Sequence, residues 1–155
     1  MKAFLKSFIY AFNGILSAIR SQRNLRVHIV AVIYVTAFSL FYNLSETQYL
    51  ILVLIFLTVI ALELVNTALE SVVDLCSPEY NKLAKISKDC AAGAVLIAAI
   101  GAVIVGIILF ADIEIFKMIF NYYRDNFFAL IGLIVFTILS MVFIFYPSDI
   151  RKGKD

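Results

Sequence analysis

Residues 61–75 read Ala-Leu-Glu-Leu-Val-Asn-Thr-Ala-Leu-Glu-Ser-Val-Val-Asp-Leu, and they follow an uncharged run from Ile51 to Leu62 with no break in the pattern. The polar side chains fall at Glu63, Asn66, Thr67, Glu70 and Asp74. On a helix of 3.6 residues per turn, those offsets lie along one stripe. From Glu63 to Asp74 the stripe extends on the order of 16 Å, at 1.5 Å per residue. Three carboxylates and an amide on one face of a helix leaving a membrane are costly, and intramembrane acids mark function by default.

Composition decides the class. Of 155 residues, 63% are hydrophobic and 15% charged, against about 45–50% apolar in soluble domains. Mean hydropathy is +1.00. The chain is expected to be an all-α, integral membrane helical bundle. The first apolar stretch is interrupted by Lys6, Asn13, Ser17 and Arg20, so it does not read as a cleavable secretory signal. Nothing in the sequence points to nucleic acid. Cys76 and Cys90 have no Cys/His neighbours of zinc-site spacing and are read as packing residues.

Along the chain, residues 1–26 form an amphipathic pattern. Leu5, Phe8, Phe12, Ile15 and Ile19 recur at helical spacing opposite Lys2, Lys6 and Arg20, which suits a helix lying in the membrane interface. Four apolar spans are expected: His28–Leu44, Gln48–Leu69, Cys90–Phe110 and Phe127–Tyr146. Residues 70–89 read as a polar connection broken by Pro78. Small residues crowd the third span, including Gly93, Gly101 and Gly106, as at membrane helix interfaces. Eleven of the thirteen basic residues fall at the two ends and in the 70–89 segment; Lys117 and Arg124 fall opposite. That bias predicts cytoplasmic termini and a cytoplasmic 70–89 loop.

An acidic stripe at a cytoplasmic membrane surface admits three readings. An ion pathway needs polar partners deeper in other spans, and these are nearly absent. A solvated face accounts for Glu70 and Asp74 but not for the submerged Glu63. Phosphoryl transfer to a lipid hydroxyl uses them all: carboxylates for Mg²⁺, a cation for phosphate, and a base for the hydroxyl. There is no Gly-x-x-x-x-Gly-Lys-Ser/Thr loop and no soluble-kinase catalytic loop. His28, alone at the start of a span, reads as an interface residue whose polar tip reaches water.

The pattern Glu63-x-x-Asn66-Thr67-Ala68-x-Glu70-x-x-Val73-Asp74, followed by Ala84-Lys85-x-x-Lys88-Asp89-x-Ala91-Ala92-Gly93-Ala94, closely resembles the prokaryotic diacylglycerol kinase/undecaprenol kinase family. The resemblance covers about residues 4–110. It implies a three-span lipid kinase of the bacterial plasma membrane that works as a homotrimer with shared active sites, using ATP and Mg²⁺. It assigns Glu63 as catalytic base, Glu70 to the metal, and Asn66, Asp74, Lys88 and Asp89 to the nucleotide side, with Lys88 on the γ-phosphate. The element Gln22-Arg23-Asn24-x-x-x-His28 resembles the undecaprenol-preferring branch, making undecaprenol the expected acceptor and diacylglycerol the alternative.

Two departures matter. The second metal position carries Gln22, a neutral amide, where the family has a carboxylate, which also admits a catalytically weak relic of the family. A fourth span follows the family core, so residues 1–111 are expected to form the kinase domain and 112–155 an added helix with a basic tail.

Overall fold

A computed structural model describes residues 2–146. The basic tail expected at Arg151, Lys152 and Lys154 lies outside the described residues. Six helices follow one another: α1 (Lys2–Ser21), α2 (Arg23–Ser39), α3 (Glu46–Cys76), α4 (Lys82–Phe110), α5 (Ile113–Asp125) and α6 (Phe127–Phe145). No strand occurs among the described residues, so the all-α membrane bundle stands as expected.

Helix boundaries follow from capping groups. Ser45 starts α3 with a reciprocal box: its hydroxyl accepts from the Gln48 backbone N–H, and Gln48 Oε1 accepts from the Ser45 N–H at 2.7 Å. Asn81 Oδ1 starts α4 by accepting from the N–H groups of Leu83 and Ala84. Asp112 does the same for α5 with Glu114 and Ile115. Within the apolar helices, Thr58, Thr67 and Ser71 donate back to carbonyls four residues earlier, which satisfies their hydroxyls inside the bilayer.

Several boundaries differ from the pattern read in the sequence. The amphipathic segment 1–26 breaks at Gln22, where the backbone is extended. The expected first span ends at Ser39 instead of Leu44, because the N–H groups of Leu40, Phe41 and Tyr42 bond to carbonyls three residues back and tighten the chain into a turn. Three helices, α3, α4 and α6, are long and apolar enough to cross a membrane. At 17 residues, α2 reaches only about 26 Å at 1.5 Å per residue. The polar 70–89 connection shrinks to residues 77–81, since α3 continues to Cys76 and α4 begins at Lys82. Helix α5 was not expected. Cys76 and Cys90 are exposed rather than packed.

Neighbouring ends show the helices alternating in direction. Gln22, at the start of α2, meets Glu70 near the end of α3. Lys88, near the start of α4, meets Asp74. At the opposite end the Tyr42 hydroxyl donates to the Phe110 carbonyl at 2.9 Å. Helices α3 and α4 pack closely, and a Cβ at Gly101 would sit 3.8 Å from the Ile55 side chain. Helix α6 lies along α2, where Tyr34 and Thr137 share a hydrogen bond of 2.8 Å and Tyr34 tilts against Phe136. The apolar face of α1, including Phe4, Phe8 and Phe12, is left uncovered, as an interfacial helix requires.

Candidate active site

Four of the candidate side chains, Gln22, Glu63, Asn66 and Glu70, gather where the start of α2 crosses the second half of α3. Burial grades along the stripe: Glu63 is 3% exposed, Asn66 is 9%, Glu70 is half-buried and Asp74 is exposed. An α-helix leaving an apolar layer obliquely gives this gradient, each turn of about 5.4 Å bringing the next polar group nearer to water.

Glu63 meets His28 of α2, whose Nε2 lies 3.3 Å from Glu63 Oε1. His28 is thus part of the site. One turn on, Asn66 Nδ2 donates to Glu70 Oε1 at 3.1 Å, and Gln22 Nε2 donates to Glu70 Oε2 at 3.2 Å. Gln22 occupies the N-cap position of α2 but makes no capping hydrogen bond. Its side chain goes to Glu70, leaving the first turn of α2 without the side-chain cap that Ser, Thr, Asn or Asp would supply. Asn66 Oδ1 is the single buried side-chain polar atom without a partner among the described residues, and such an atom costs about 1–3 kcal/mol.

Among the described residues, no three His, Cys, Asp or Glu side chains cluster in a way that could hold a metal. Glu70 is the one carboxylate of the α2–α3 crossing that faces Gln22 and Asn66. Its oxygens would form an all-oxygen set with the Asn66 and Gln22 side-chain oxygens if both amides, which now donate to Glu70, turned over. Mg²⁺ takes one or two carboxylates and completes its octahedron with water and substrate phosphates, so the residues fit a metal that arrives with a nucleotide.

The nucleotide-side residues divide. Lys88 and Asp74 form an ion pair at the open end of the α3–α4 pair. Asp89 is exposed and joins neither group. Beside the acidic cluster an apolar groove of about 270 Å³ opens between α2, α3 and α4, lined by His28, Val35, Leu52, Phe56, Ala99 and Gly106 among others. His28, which contacts Glu63, is among its lining residues, and along α2 the lining extends for about 10 Å, from residue 28 to residue 35 at 1.5 Å per residue.

A family profile described as prokaryotic diacylglycerol kinase matches residues 9–110. The chain belongs to the prokaryotic diacylglycerol kinase family. A relative from Synechocystis named diacylglycerol kinase is 54% identical over 104 residues, which cover 66% of this chain and 59% of that protein. The chain thus spans about three fifths of that relative. The undecaprenol kinase of Bacillus subtilis is 37% identical over 110 residues, 71% of this chain and 89% of that protein. The diacylglycerol kinase of Escherichia coli K12 is 31% identical over 105 residues, 68% and 86% of the two chains. The kinase-family match ends at the last residue of α4, and α5 and α6 lie beyond it.

Two side chains at or near the candidate site were given no role there by the sequence reading. His28 was set aside as an interface residue, although its place six residues after Gln22 was visible. Arg26, described below, offered no signal at all.

Proposed function

We propose that the chain transfers the γ-phosphoryl group of ATP to the primary alcohol of a membrane lipid, with undecaprenol as the acceptor and a homotrimer as the working form. One observation carries this reading: a carboxylate almost wholly removed from water, Glu63, contacts His28 of the apolar groove and lies two helical turns from Glu70 and its amide partners. A lipid lying in that groove brings its hydroxyl to Glu63. The carboxylate accepts the hydroxyl proton as the oxygen bonds to the γ-phosphorus. The bond from that phosphorus to the β,γ-bridging oxygen breaks, and ADP leaves with the electron pair.

When bound, Mg²⁺ neutralises charge on the phosphates. Glu70, with Asn66 and Gln22 turned to present their oxygens, would hold it. Lys88 faces the phosphates and Asp74 orients it, while Asp89 serves the nucleotide from the exposed side of α4. His28 holds Glu63 toward the groove. A long single polyprenyl chain suits a narrow groove open to the bilayer, and the element from Gln22 to His28 supports the same acceptor. Kinase chemistry is assigned to residues 1–111, with 112–155 as an added segment. ATP supply places the site, the termini and the α3–α4 turn on the cytoplasmic side of a bacterial plasma membrane.

The assembly argument rests on uncovered surface. Of the α4 glycines, Gly101 faces a neighbouring side chain, whereas Gly93 and Gly106 have nothing within 4 Å of where a side chain would begin. Small residues opening onto empty space on a membrane helix suit approach by further helices.

The experiment is a competition assay: purified full-length protein, labelled ATP and Mg²⁺, with undecaprenol and diacylglycerol in the same vesicles. Label in undecaprenyl phosphate is the expected result. Label predominantly in phosphatidic acid would overturn the choice of acceptor, and no lipid product from either would overturn the activity.

A further inference from the structure

Arg26 is 4% exposed, and among the described residues only Glu63 is a more deeply buried charged residue. Its guanidinium has five N–H donors, and five hydrogen bonds use them. Nη1 donates to the carbonyls of Ile19 and Arg20 at 3.2 and 3.1 Å. Nε and Nη2 donate to Ile144 at 3.3 and 3.1 Å, and Nη2 also to Tyr146 at 3.0 Å. The first pair of carbonyls ends α1; the second group ends α6. Among the described residues no carboxylate pairs with Arg26. The charge is compensated by the negative ends of two helix dipoles, where unsatisfied carbonyls otherwise face an apolar medium.

The position of this clasp gives it a consequence for the site. Arg26 lies one helical turn after Gln22 and two residues before His28, and the α1 carbonyls it holds, of Ile19 and Arg20, lie three and two residues before Gln22. The corner between α1 and α2 is therefore closed around Gln22, whose own side chain does not cap α2. Ser21 adds one side-chain hydrogen bond there, its hydroxyl donating to the Ala18 carbonyl at 3.3 Å. Arg23 adds a second contact to α6, its guanidinium standing 5.8 Å over the Phe145 ring.

We propose that Arg26 is a positioning residue: by binding the C-terminal ends of α1 and α6 together, it fixes the α1–α2 corner so that Gln22 reaches Glu70 and His28 reaches Glu63, and it makes α6 a structural part of the lipid-kinase site. This rests on the phosphoryl-transfer reading for its activity arm and on geometry alone for the rest. Lysine does not substitute, because a compact ammonium cannot span two helix ends as a planar fork does.

The test uses full-length protein in bilayers with Arg26→Gln, Arg26→Lys and, as a control that loosens α6 away from the corner, Thr137→Val. Backbone amide exchange across residues 19–26 is expected to accelerate ~10-fold or more in both Arg26 variants, with α3 and α4 unchanged. The same two variants are expected to need ~10-fold more Mg²⁺ for half-maximal turnover, as loss of a partner that orients a ligand does. Thr137→Val is expected to match wild type in both. If Arg26→Gln does not give folded protein, Arg26→Lys, which keeps the charge, carries the test. Unchanged exchange at the corner overturns the clasp. Accelerated exchange with a wild-type Mg²⁺ titration overturns the positioning role. A wild-type protein inactive on every lipid alcohol overturns the kinase reading, and the exchange measurement then judges the clasp by itself.

Discussion

Gln22 and Glu70, 48 residues apart, are joined by a hydrogen bond of 3.2 Å from the amide to Oε2. An amide at position 22 can do in the absence of metal what a carboxylate cannot: it donates to Glu70 instead of repelling it. The neutral residue therefore stabilises the metal-free site while weakening it as a ligand set, because hard cations prefer charged oxygens.

Replacing Gln22 by Glu reverses both effects. Two facing carboxylates destabilise the metal-free protein, and a divalent cation between them restores it. Thermal unfolding should occur at a lower temperature in chelator and recover, or exceed wild type, in millimolar Mg²⁺. Turnover at limiting Mg²⁺ should rise. Silence of both proteins across the titration would instead indicate a relic without activity.

Glu63→Gln keeps the shape and the contact distance to His28 but removes the proton acceptor. General bases contribute about 10²–10⁴-fold, so kcat should fall by that range with little change in the apparent affinity for ATP. Helical content and assembly, followed by circular dichroism and sizing in detergent, should match wild type. Full turnover in this variant would rule Glu63 out as the base.

Asp74 and Lys88 form a pair with side chains 60% and 34% exposed. Pairs this open contribute roughly 0–1 kcal/mol, so Asp74→Asn should leave stability within that margin. Its effect belongs to the nucleotide: without its partner, Lys88 samples more rotamers, and the KM for ATP should rise severalfold while kcat holds. A loss of stability well beyond that margin would give the pair a structural role.

How much of this was readable before the fold was known depends on where each partner lies. Glu63, Asn66 and Glu70 share one helix, so a 3.6-residue period placed them together without tertiary information. The Gln22–Glu70 and His28–Glu63 contacts cross two helices, and only the resemblance to a known family brought Gln22 to the site. His28 was read as an interface residue because a lone imidazole gives no periodic signal. Arg26 was invisible for a different reason: its partners are main-chain carbonyls, which carry no side-chain identity, and two of them lie 118 and 120 residues away. Helix α5 left a trace in Asp112, a good N-cap, followed by Phe116, Ile119, Phe120 and Tyr123 at helical spacing. Its charges at Glu114, Lys117, Arg124 and Asp125 keep it from reading as a span. The end of α2 at Ser39 was unreadable because apolar residues continue through Leu40, Phe41 and Tyr42, and a tight turn there satisfies its own backbone.

Asn66 separates metal binding from stability. Its Nδ2 holds Glu70, and its buried Oδ1 has no partner among the described residues. Leucine at this position removes both atoms at nearly constant volume. Losing a hydrogen bond to a charged group costs about 1.5–3 kcal/mol, and removing an unsatisfied buried oxygen returns about 1–3 kcal/mol. The two nearly cancel, so Asn66→Leu should unfold in chelator within about 1 kcal/mol of wild type. Metal affinity has no such compensation: with Glu70 less constrained and one oxygen gone, the Mg²⁺ needed for half-maximal turnover should rise by about 10–100-fold. The decisive measurement is the pair of titrations on the same preparation, thermal unfolding against chelator and turnover against Mg²⁺. A variant that unfolds much earlier yet keeps the wild-type Mg²⁺ requirement would make Asn66 a packing residue and remove its oxygen from the metal set.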